Sequence, residues 1–273
     1  MAAVEASSSI REELRRRARE PNRLRVWQAE VIETAQLTPR VRRLTLAGDD
    51  LATMADGLPA DGFKAAVFAP GVSEVPGMRL GPRGVLVDGP PLPAWRSYTV
   101  RHHDPRTTRT DVDVVLHDDS PGTRWATSLA VGDLVIGHGP RSDFYAAPGV
   151  DLHVLAGDDT AAPAIAAILQ ALPATARVIA VIEVQDAAEQ IDLPGNAEVH
   201  WLHRCGVPPG RSELLAAAVR RLPAFTGRVQ AWAGAESGAV RAIRAHWLRE
   251  RELPSRDVHA VGFWRLGHAG STD

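Results

Sequence analysis

The amino-acid sequence predicts a β + α/β protein, in which an antiparallel β domain is followed by a parallel-sheet α/β domain. In the first half of the chain, short stretches such as residues 24–34 alternate apolar and polar side chains between turns rich in proline and glycine. In the second half, apolar strands alternate with helical segments, which is typical of a parallel sheet covered on both faces. The spacing of the apolar residues changes around Ala147-Pro148-Gly149, which marks the boundary between the two patterns. A chain of 273 residues is long enough to form two hydrophobic cores.

Residues 1–22 are predicted to form a helical arm. Ser9 and Glu12 have the Ser-x-x-Glu spacing of a capping box, and the helix that they open would run to about Glu20. Pro21 and Asn22 would end it. Because arginine and glutamate dominate the segment, we interpret it as a solvated arm.

Residues 23–148 are predicted to form the β domain. Alternating patterns rich in valine, leucine and isoleucine occur at residues 24–34, 41–46, 111–117 and 134–136. The connections between them contain the proline and glycine residues that mark turns. Six or so short strands of this kind predict a small antiparallel barrel or a sandwich.

Residues 149–273 are predicted to form the α/β domain, with strands at residues 152–156, 177–184, 197–202, 228–233 and 258–263. Helical segments separate them, and the longest covers residues 239–252. In parallel sheets of this kind, ligands bind at the carboxyl ends of the strands. The informative loops are therefore residues 157–160, 203–206 and 234–238.

Composition narrows the function classes. The formal net charge of -2 gives no overall attraction to nucleic acid or to an anionic membrane. Cys205 is the single cysteine, which fits a reducing compartment and is too few for an iron–sulfur cluster, since a cluster takes about four thiolates. We see no signal peptide and no apolar run of roughly 18 residues. We therefore predict a cytoplasmic protein without nucleic-acid partners or membrane insertion.

A candidate binding strand contains Arg96, Ser97, Tyr98 and Thr99. Side chains alternate along an extended chain, so Arg96 and Tyr98 share one face, and Ser97 and Thr99 share the other. The arginine fork suits a phosphate, and the tyrosine ring suits a flat aromatic group with polar edges. An edge strand with a surface arginine and a half-buried tyrosine is the competing interpretation.

The loop that includes Gly157, Asp158 and Thr160 joins the first α/β strand to its helix. Glycine allows close approach of a ligand there, and a helix N-terminus favours an anion. An ordinary strand-to-helix turn, capped by Asp or Thr, explains the same residues. Arg204, after the third strand, could reach a phosphate on a ribose or could be a loop arginine in water. Glu236 lies in a second loop of this type, after the fourth strand.

The segment from His117 to Ala126 leaves a strand and turns into a predicted helix. Backbone donors near Gly122, with Thr123 beside them, could hold a pyrophosphate. A capped helix with Trp125 in the core is the alternative. The histidines lack cysteine or carboxylate neighbours at ligand spacing, so we predict no metal site.

Five motifs, in this order, resemble the siderophore-interacting protein family, which comprises flavin-dependent ferric-siderophore reductases of the ferredoxin-reductase-like type. They lie at residues 37–48, 96–101, 121–126 with 132–133, 155–165 and 262–267. The resemblance runs through nearly the whole chain. It implies an N-terminal antiparallel flavin-binding β-barrel and a C-terminal α/β domain that binds a nicotinamide nucleotide.

The resemblance also implies roles for individual residues. Arg96, Tyr98 and Thr99 would meet the phosphate, ring and N5 edge of FAD, with Ser97 beside them, and Tyr98 and Thr99 would be the catalytic positions. The FAD pyrophosphate and adenosine would be held by His117, Gly122, Thr123 and Trp125. The NADPH or NADH site would be lined by Gly157, Asp158, Thr160, Arg204 and Glu236, with Arg204 favouring NADPH. An anionic ferric chelate would be attracted by Lys64, Arg124 and Arg265.

By this resemblance, electrons pass from NAD(P)H through FAD to Fe(III) in a ferric siderophore, and Fe(II) is released. The sequence departs from the family pattern at Asp118, in a loop that is one residue shorter, at Ser142 and at Phe263. Two alternatives stay open: a general flavin reductase or electron-transfer partner with another acceptor, and a non-catalytic siderophore-binding protein. The sequence names neither the siderophore nor the oligomeric state.

Overall fold

The computed structural model describes residue 16 and residues 24–54, 57–69, 72, 74–82, 84–117, 120–142 and 144–268. The predicted N-terminal arm, apart from Arg16, lies outside the described residues, as does Asp118. Within these ranges, no helix is both long enough and apolar enough to cross a membrane.

In the described part of the N-terminal half, the structure contains strands β1 to β9 and the α-helix α1 (Pro121–Ser128). The strands are β1 (Arg25–Thr38), β2 (Val41–Ala47), β3 (Gly62–Val67), β4 (Met78–Gly81), β5 (Gly84–Val87), β6 (Ala94–Thr99), β7 (His102–Asp104), β8 (Arg109–Val115) and β9 (Leu134–Arg141). In the described part of the chain, β4 and β5 form a separate hairpin, and the other seven make one antiparallel sheet in the order β6-β3-β9-β1-β2-β8-β7. The sheet curls so that β6 approaches β8, which makes a half-barrel with β6 at one edge.

Aromatic side chains fill the half-barrel next to β6. Trp27 of β1 contacts Phe63 of β3 edge-on, with ring centroids 5.1 Å apart, and Phe63 contacts Tyr98 of β6 at 6.1 Å. Gly137 of β9 leaves the space that the Trp27 ring occupies, because a Cβ at this position would overlap the indole. The buried core therefore supports Tyr98 from behind.

The C-terminal half is a parallel sheet of β10 (Leu152–Asp158), β11 (Val178–Val184), β12 (Glu198–His203), β13 (Val229–Glu236) and β14 (Val258–Trp264). Among the described residues, its order is β12-β11-β10-β13-β14. Its helices are α2 (Ala162–Ala171), α3 (Leu214–Arg221) and α4 (Ser237–Arg249), and the segment near Ala187 is a short 3-10 helix. The three central strands are apolar on both faces, and each face packs into a separate core.

Polar contacts, one of them buried, join the half-barrel to the parallel-sheet half. The Glu189 carboxylate accepts hydrogen bonds from the Thr38 hydroxyl at 2.6 Å and from the Arg40 amide at 3.1 Å. Arg101 donates to the side chain of Gln170 on α2 at 2.6 Å. Phe144 belongs to the core of the parallel sheet. These contacts fix the carboxyl edge of that sheet relative to the half-barrel.

Candidate functional site

Arg96, Tyr98 and Gly122 come together where the edge strand β6 meets the start of α1. A Cβ atom added to Gly122 would lie 3.1 Å from the Tyr98 hydroxyl and 3.7 Å from Cγ of Arg96. Arg96 and Tyr98 therefore share the face that α1 covers, as the alternation of the strand predicts. Because residue 122 has no side chain, a cation and the positive end of a helix can share one small region.

Aromatic neighbours enclose the Tyr98 ring. It stacks on Trp125 of α1, with ring centroids 5.5 Å apart and an interplanar angle of 20°. Burial raises the pKa of the Tyr98 phenol well above its ordinary value, although Arg96 opposes the shift. The hydroxyl is therefore neutral at physiological pH. Trp125 also packs against the half-barrel core, so it is both a core residue and a neighbour of the candidate site.

Ser97 and Thr99 occupy the other face of β6 and differ in exposure. Ser97 is exposed and pairs with Lys64 of β3. Thr99 pairs with Gly62 and is only 8% exposed. The Ser97 hydroxyl is thus open to a ligand in this structure, whereas the Thr99 side chain is largely shielded.

The loop before α1 is closed by its own side chains. The Thr123 hydroxyl accepts from the His117 amide and donates to the His117 carbonyl, both at 3.0 Å. Ser120 is the N-cap and accepts from the Thr123 amide at 3.1 Å. The Thr123 side chain is therefore committed to the loop, and pyrophosphate binding by residues 122–125 stays a prediction. His117 is exposed.

Asp158 is a buried centre of hydrogen bonds at the carboxyl end of β10. It accepts from the amide and hydroxyl of Thr160 at 3.0 and 2.5 Å, from the Glu236 amide at 2.9 Å and from Nε1 of Trp264 at 2.8 Å. The space beside Gly157 is occupied by the protein itself, because a Cβ atom at this position would lie 2.6 Å from Cβ of Ala161. Gly157 and Asp158 thus have a structural role at this edge: the glycine allows close packing, and the aspartate joins the loops by hydrogen bonds.

Glu236 caps α4 at the end of the neighbouring strand. Its carboxylate accepts from the amides of Gly238 and Ala239, and also from the Leu266 amide at 3.2 Å. Thr160 is partly exposed, unlike Asp158. The structure therefore brings Gly157, Asp158, Thr160 and Glu236 together at one edge, as their positions after parallel strands predict.

Burial raises the pKa of Asp158 to about 7, and the nearby Asp159 carboxylate adds to the shift. Hydrogen bonds from Thr160, Trp264 and Glu236 oppose it. Between its ordinary pKa near 3.8 and about 7, the folded protein holds a proton that the unfolded chain has released. The free energy of unfolding is therefore expected to fall as pH rises through this range.

Urea unfolding of the wild type and of the Asp158→Asn variant, from pH 4 to pH 8, checks this expectation. The amide cannot titrate, so the variant should lose this part of the pH dependence, whatever its absolute stability. Asp192→Asn, which changes an exposed carboxylate, is the matched control and should keep the wild-type profile. Equal pH profiles for the wild type and Asp158→Asn would contradict the assigned pKa.

Arg204 is buried rather than in water, which corrects one of the two interpretations of this residue. Its side chain is 1% exposed and donates to Asp159 at 2.7 Å, and Nη1 lies 3.7 Å from Glu183. The Glu183 carboxylate also accepts from Ser212 and from the amide of Leu215. Nη2 is thus hydrogen-bonded to Asp159 and Nη1 lies at ion-pair distance from Glu183, whereas Nε and Nη1 are buried without a hydrogen-bond partner among the described residues.

The three cations predicted to meet an anionic chelate occupy different elements. Lys64 is half-buried on β3, on the face of Ser97 and opposite that of Tyr98. Arg124 is exposed on α1, and Arg265 is exposed just after β14.

Trp264, Asp159 and Glu183 are the residues at this edge that sequence reasoning missed. Trp264 was visible only as part of a motif, and no local pattern pairs it with Asp158, which lies 106 residues earlier. Asp159 stands beside a predicted site residue, but its partner Arg204 is 45 residues away. A buried polar residue at a strand end is a general signal for such a pairing.

Two family models match the chain and together span most of it. Residues 30–144 match the siderophore-interacting FAD-binding domain, and residues 150–267 match the siderophore-interacting protein model. The two matches divide the chain between the half-barrel and the parallel sheet.

Among curated proteins, ferric vibriobactin reductase ViuB of Vibrio cholerae is 31% identical over 236 residues, which cover 82% of this chain and 84% of ViuB. A crystal structure of a siderophore utilization protein from T. fusca has a TM-score of 0.80 at 38% identity, covering 90% of this chain and 95% of that one. The siderophore-interacting protein SipS from Aeromonas hydrophila has a TM-score of 0.74 at 26% identity, with 90% and 94% covered.

Proposed function

Because the chain belongs to the siderophore-interacting protein family, we propose that it is an FAD-dependent reductase that transfers electrons from NAD(P)H to Fe(III) in a ferric siderophore. The observation that carries the proposal is the cluster of Arg96, Tyr98 and Gly122 at the start of α1, within the part of the chain that matches the FAD-binding family model. A cytoplasmic location remains a prediction from the single cysteine.

The residues of β6 fit a flavin dinucleotide. Arg96 supplies a cation beside a helix start, where a phosphate is favoured. Tyr98 supplies an aromatic group whose ring is held by Trp125 and Phe63. Ser97 is exposed on an edge strand, so a ring system lying along β6 would have a hydroxyl within its reach. Arg96, Ser97 and Tyr98 would therefore hold FAD, with the largely shielded Thr99, His117 and residues 122–125 nearby.

When bound, FAD supplies the redox chemistry, since it can accept a hydride from a nicotinamide and give single electrons to a metal. The protein's side chains bind, orient and shield the reacting groups. The neutral Tyr98 phenol keeps negative charge away from the ring, and the aromatic packing behind it excludes water. Reduction of the metal requires no general acid or base from the chain.

NAD(P)H is proposed to bind at the carboxyl edge of the parallel sheet, near Thr160 and Glu236. Arg204 is bonded to Asp159 and buried, so a preference for NADPH over NADH would need another cation. Asp158 would hold the loops of this edge together by its hydrogen bonds, and Gly157 would allow their close packing. Fe(III) in an anionic chelate is the proposed substrate, attracted by Lys64, Arg124 and Arg265.

The experiment that tests this function is an anaerobic titration of the FAD-loaded protein with NADPH and, separately, with NADH. We expect the flavin absorbance to bleach with at least one of them and to return when a ferric siderophore is added, with Fe(II) trapped by a ferrous-specific dye. Free FAD at the same concentration is the control.

The other outcomes of the titration separate the alternatives. A protein that binds a ferric siderophore but takes up no FAD would be a binding protein and would contradict the proposal. Bleaching without any return on addition of ferric chelates would instead indicate a flavin reductase with a different acceptor.

A further inference from the structure

Two buried carboxylates hold the chain on either side of Arg265. Asp158 accepts from Nε1 of Trp264, the residue before Arg265, at 2.8 Å. Glu236 accepts from the amide of Leu266, the residue after it, at 3.2 Å. Arg265 itself is exposed. We call Asp158, Glu236, Ser237 and Trp264 the C-terminal clamp.

The members of the clamp are bonded to one another as well. The Glu236 amide donates to Asp158 at 2.9 Å, and the Ser237 hydroxyl donates to the Trp264 carbonyl at 2.9 Å. Asp158 and Glu236 are 6% and 9% exposed, so water competes little for these hydrogen bonds. The chain on both sides of Arg265 is therefore held by a connected network whose two carboxylates are buried and whose other members are partly exposed.

The indole ring of Trp264 also packs against the loop that contains Gly210. Gly210 has a φ of +73°, and a Cβ there would lie 2.7 Å from Cη2 of Trp264 and 3.2 Å from Cγ of Glu236. This loop thus packs closely against the ring. The pairing of β13 with β14 shifts in register between Ala235 and Glu236, so that Glu236 pairs with Trp264. A shift of this kind bends the strand where it ends, just before Arg265.

We propose that Trp264 is a positioning residue that presents the Arg265 guanidinium to an anionic ferric chelate. The inference rests on the proposed function, because it takes Arg265 as part of the chelate site. A segment just beyond a strand end is ordinarily free to move, and ordering it on binding costs affinity. The clamp orders the backbone of Arg265 before the chelate arrives.

The test compares the wild type with Trp264→Phe, which removes the Nε1–H donor and keeps an aromatic ring. The probe is gallium(III) tris-catecholate, a redox-inert anion, titrated into FAD-loaded protein. We expect its Kd to rise about three- to tenfold, the range for ordering one long side chain. In steady state with iron(III) tris-catecholate at saturating NAD(P)H, KM for the chelate should rise while kcat and FAD content stay unchanged.

Trp247→Phe is the matched control. Trp247 is fully buried on α4, and its Nε1 has no hydrogen-bond partner among the described residues, so this change removes an indole without breaking a clamp bond. It should leave the Kd for the gallium chelate at the wild-type value. Ser237→Ala, which removes the bond to the Trp264 carbonyl, is the second variant if Trp264→Phe does not fold, and it should also raise the Kd.

A double-mutant comparison with Arg265→Ala decides between the remaining outcomes. Once Arg265 is absent, Trp264→Phe should weaken binding no further. If Arg265→Ala weakens binding but Trp264→Phe and Ser237→Ala do not, the positioning role is overturned and the reductase function stands. If Arg265→Ala binds the probe as the wild type does, the positioning role and the placement of Arg265 both fail. Failure of the reductase function itself would appear separately, as absence of iron reduction by the wild type.

Discussion

Replacement of Arg204 with methionine is expected to lower the free energy of unfolding by about 3–5 kcal/mol, the usual cost of removing one partner from a buried ion pair. The Arg204 guanidinium is the cation that lies against both Asp159 and Glu183. Methionine fills much of the same volume but leaves two carboxylates without this partner in a shielded place. Urea unfolding at pH 7, followed by circular dichroism, measures the effect.

Two further variants identify the cause of the loss. Adding Asp159→Asn and Glu183→Gln to Arg204→Met should recover a large part of the stability, because the unpaired charges are then removed. Arg211→Met, at an exposed arginine seven residues on, should be close to the wild type.

The same variant separates the structural role of Arg204 from a ligand-binding role. If Arg204→Met unfolds like the wild type but raises KM for NADPH and not for NADH, Arg204 binds the ribose phosphate after all. The buried ion pairs predict the opposite result: reduced stability, with an unchanged ratio of the two KM values.

Loss of the Arg96 side chain is expected to have the largest effect on cofactor binding. A charge-assisted hydrogen bond contributes roughly 1.5–3 kcal/mol, so Arg96→Leu should weaken FAD binding about 10- to 150-fold. Arg96 lies beside Gly122 at the start of α1, and its Nη1 also donates to the Trp95 carbonyl at 2.9 Å. The Kd is measured by adding FAD to apoprotein and following the quenching of flavin fluorescence.

Arg96→Lys should lie between the wild type and Arg96→Leu, because a lysine keeps the charge but cannot present two parallel donors. Arg106→Leu is the control, since Arg106 lies in the turn between β7 and β8 and its side chain is 90% exposed. Wild-type FAD affinity in Arg96→Leu would refute the placement of FAD phosphate at this residue.

Much of the architecture could be predicted because it depends on local patterns. The alternation of Arg96 and Tyr98 with Ser97 and Thr99 follows from the two-residue period of a strand, and the contacts of Gly122 agree with it. The apolar runs of β10, β11 and β13 predicted a parallel sheet covered on both faces, which is confirmed. The ordered motifs predicted the family, and the family models confirm it.

The environment of single polar residues could not be predicted in the same way. Arg204 was interpreted either as a phosphate-binding residue or as a loop residue in water, and it is neither exposed nor unpaired. The Thr123 hydroxyl is a second example, because it donates to the His117 carbonyl and closes the loop before α1. Both outcomes depend on which neighbours are within hydrogen-bond distance, and spacing along the chain does not encode this.

For this protein, the sequence by itself determined the two-part fold, the family and the face of β6 that carries Arg96 and Tyr98. Only the tertiary structure decided that Arg204 pairs with carboxylates and that Asp158 holds Trp264. The physical reason is distance along the chain: strand period and hydrophobic pattern are properties of neighbouring residues, whereas burial and charge pairing join residues from the ends of different strands.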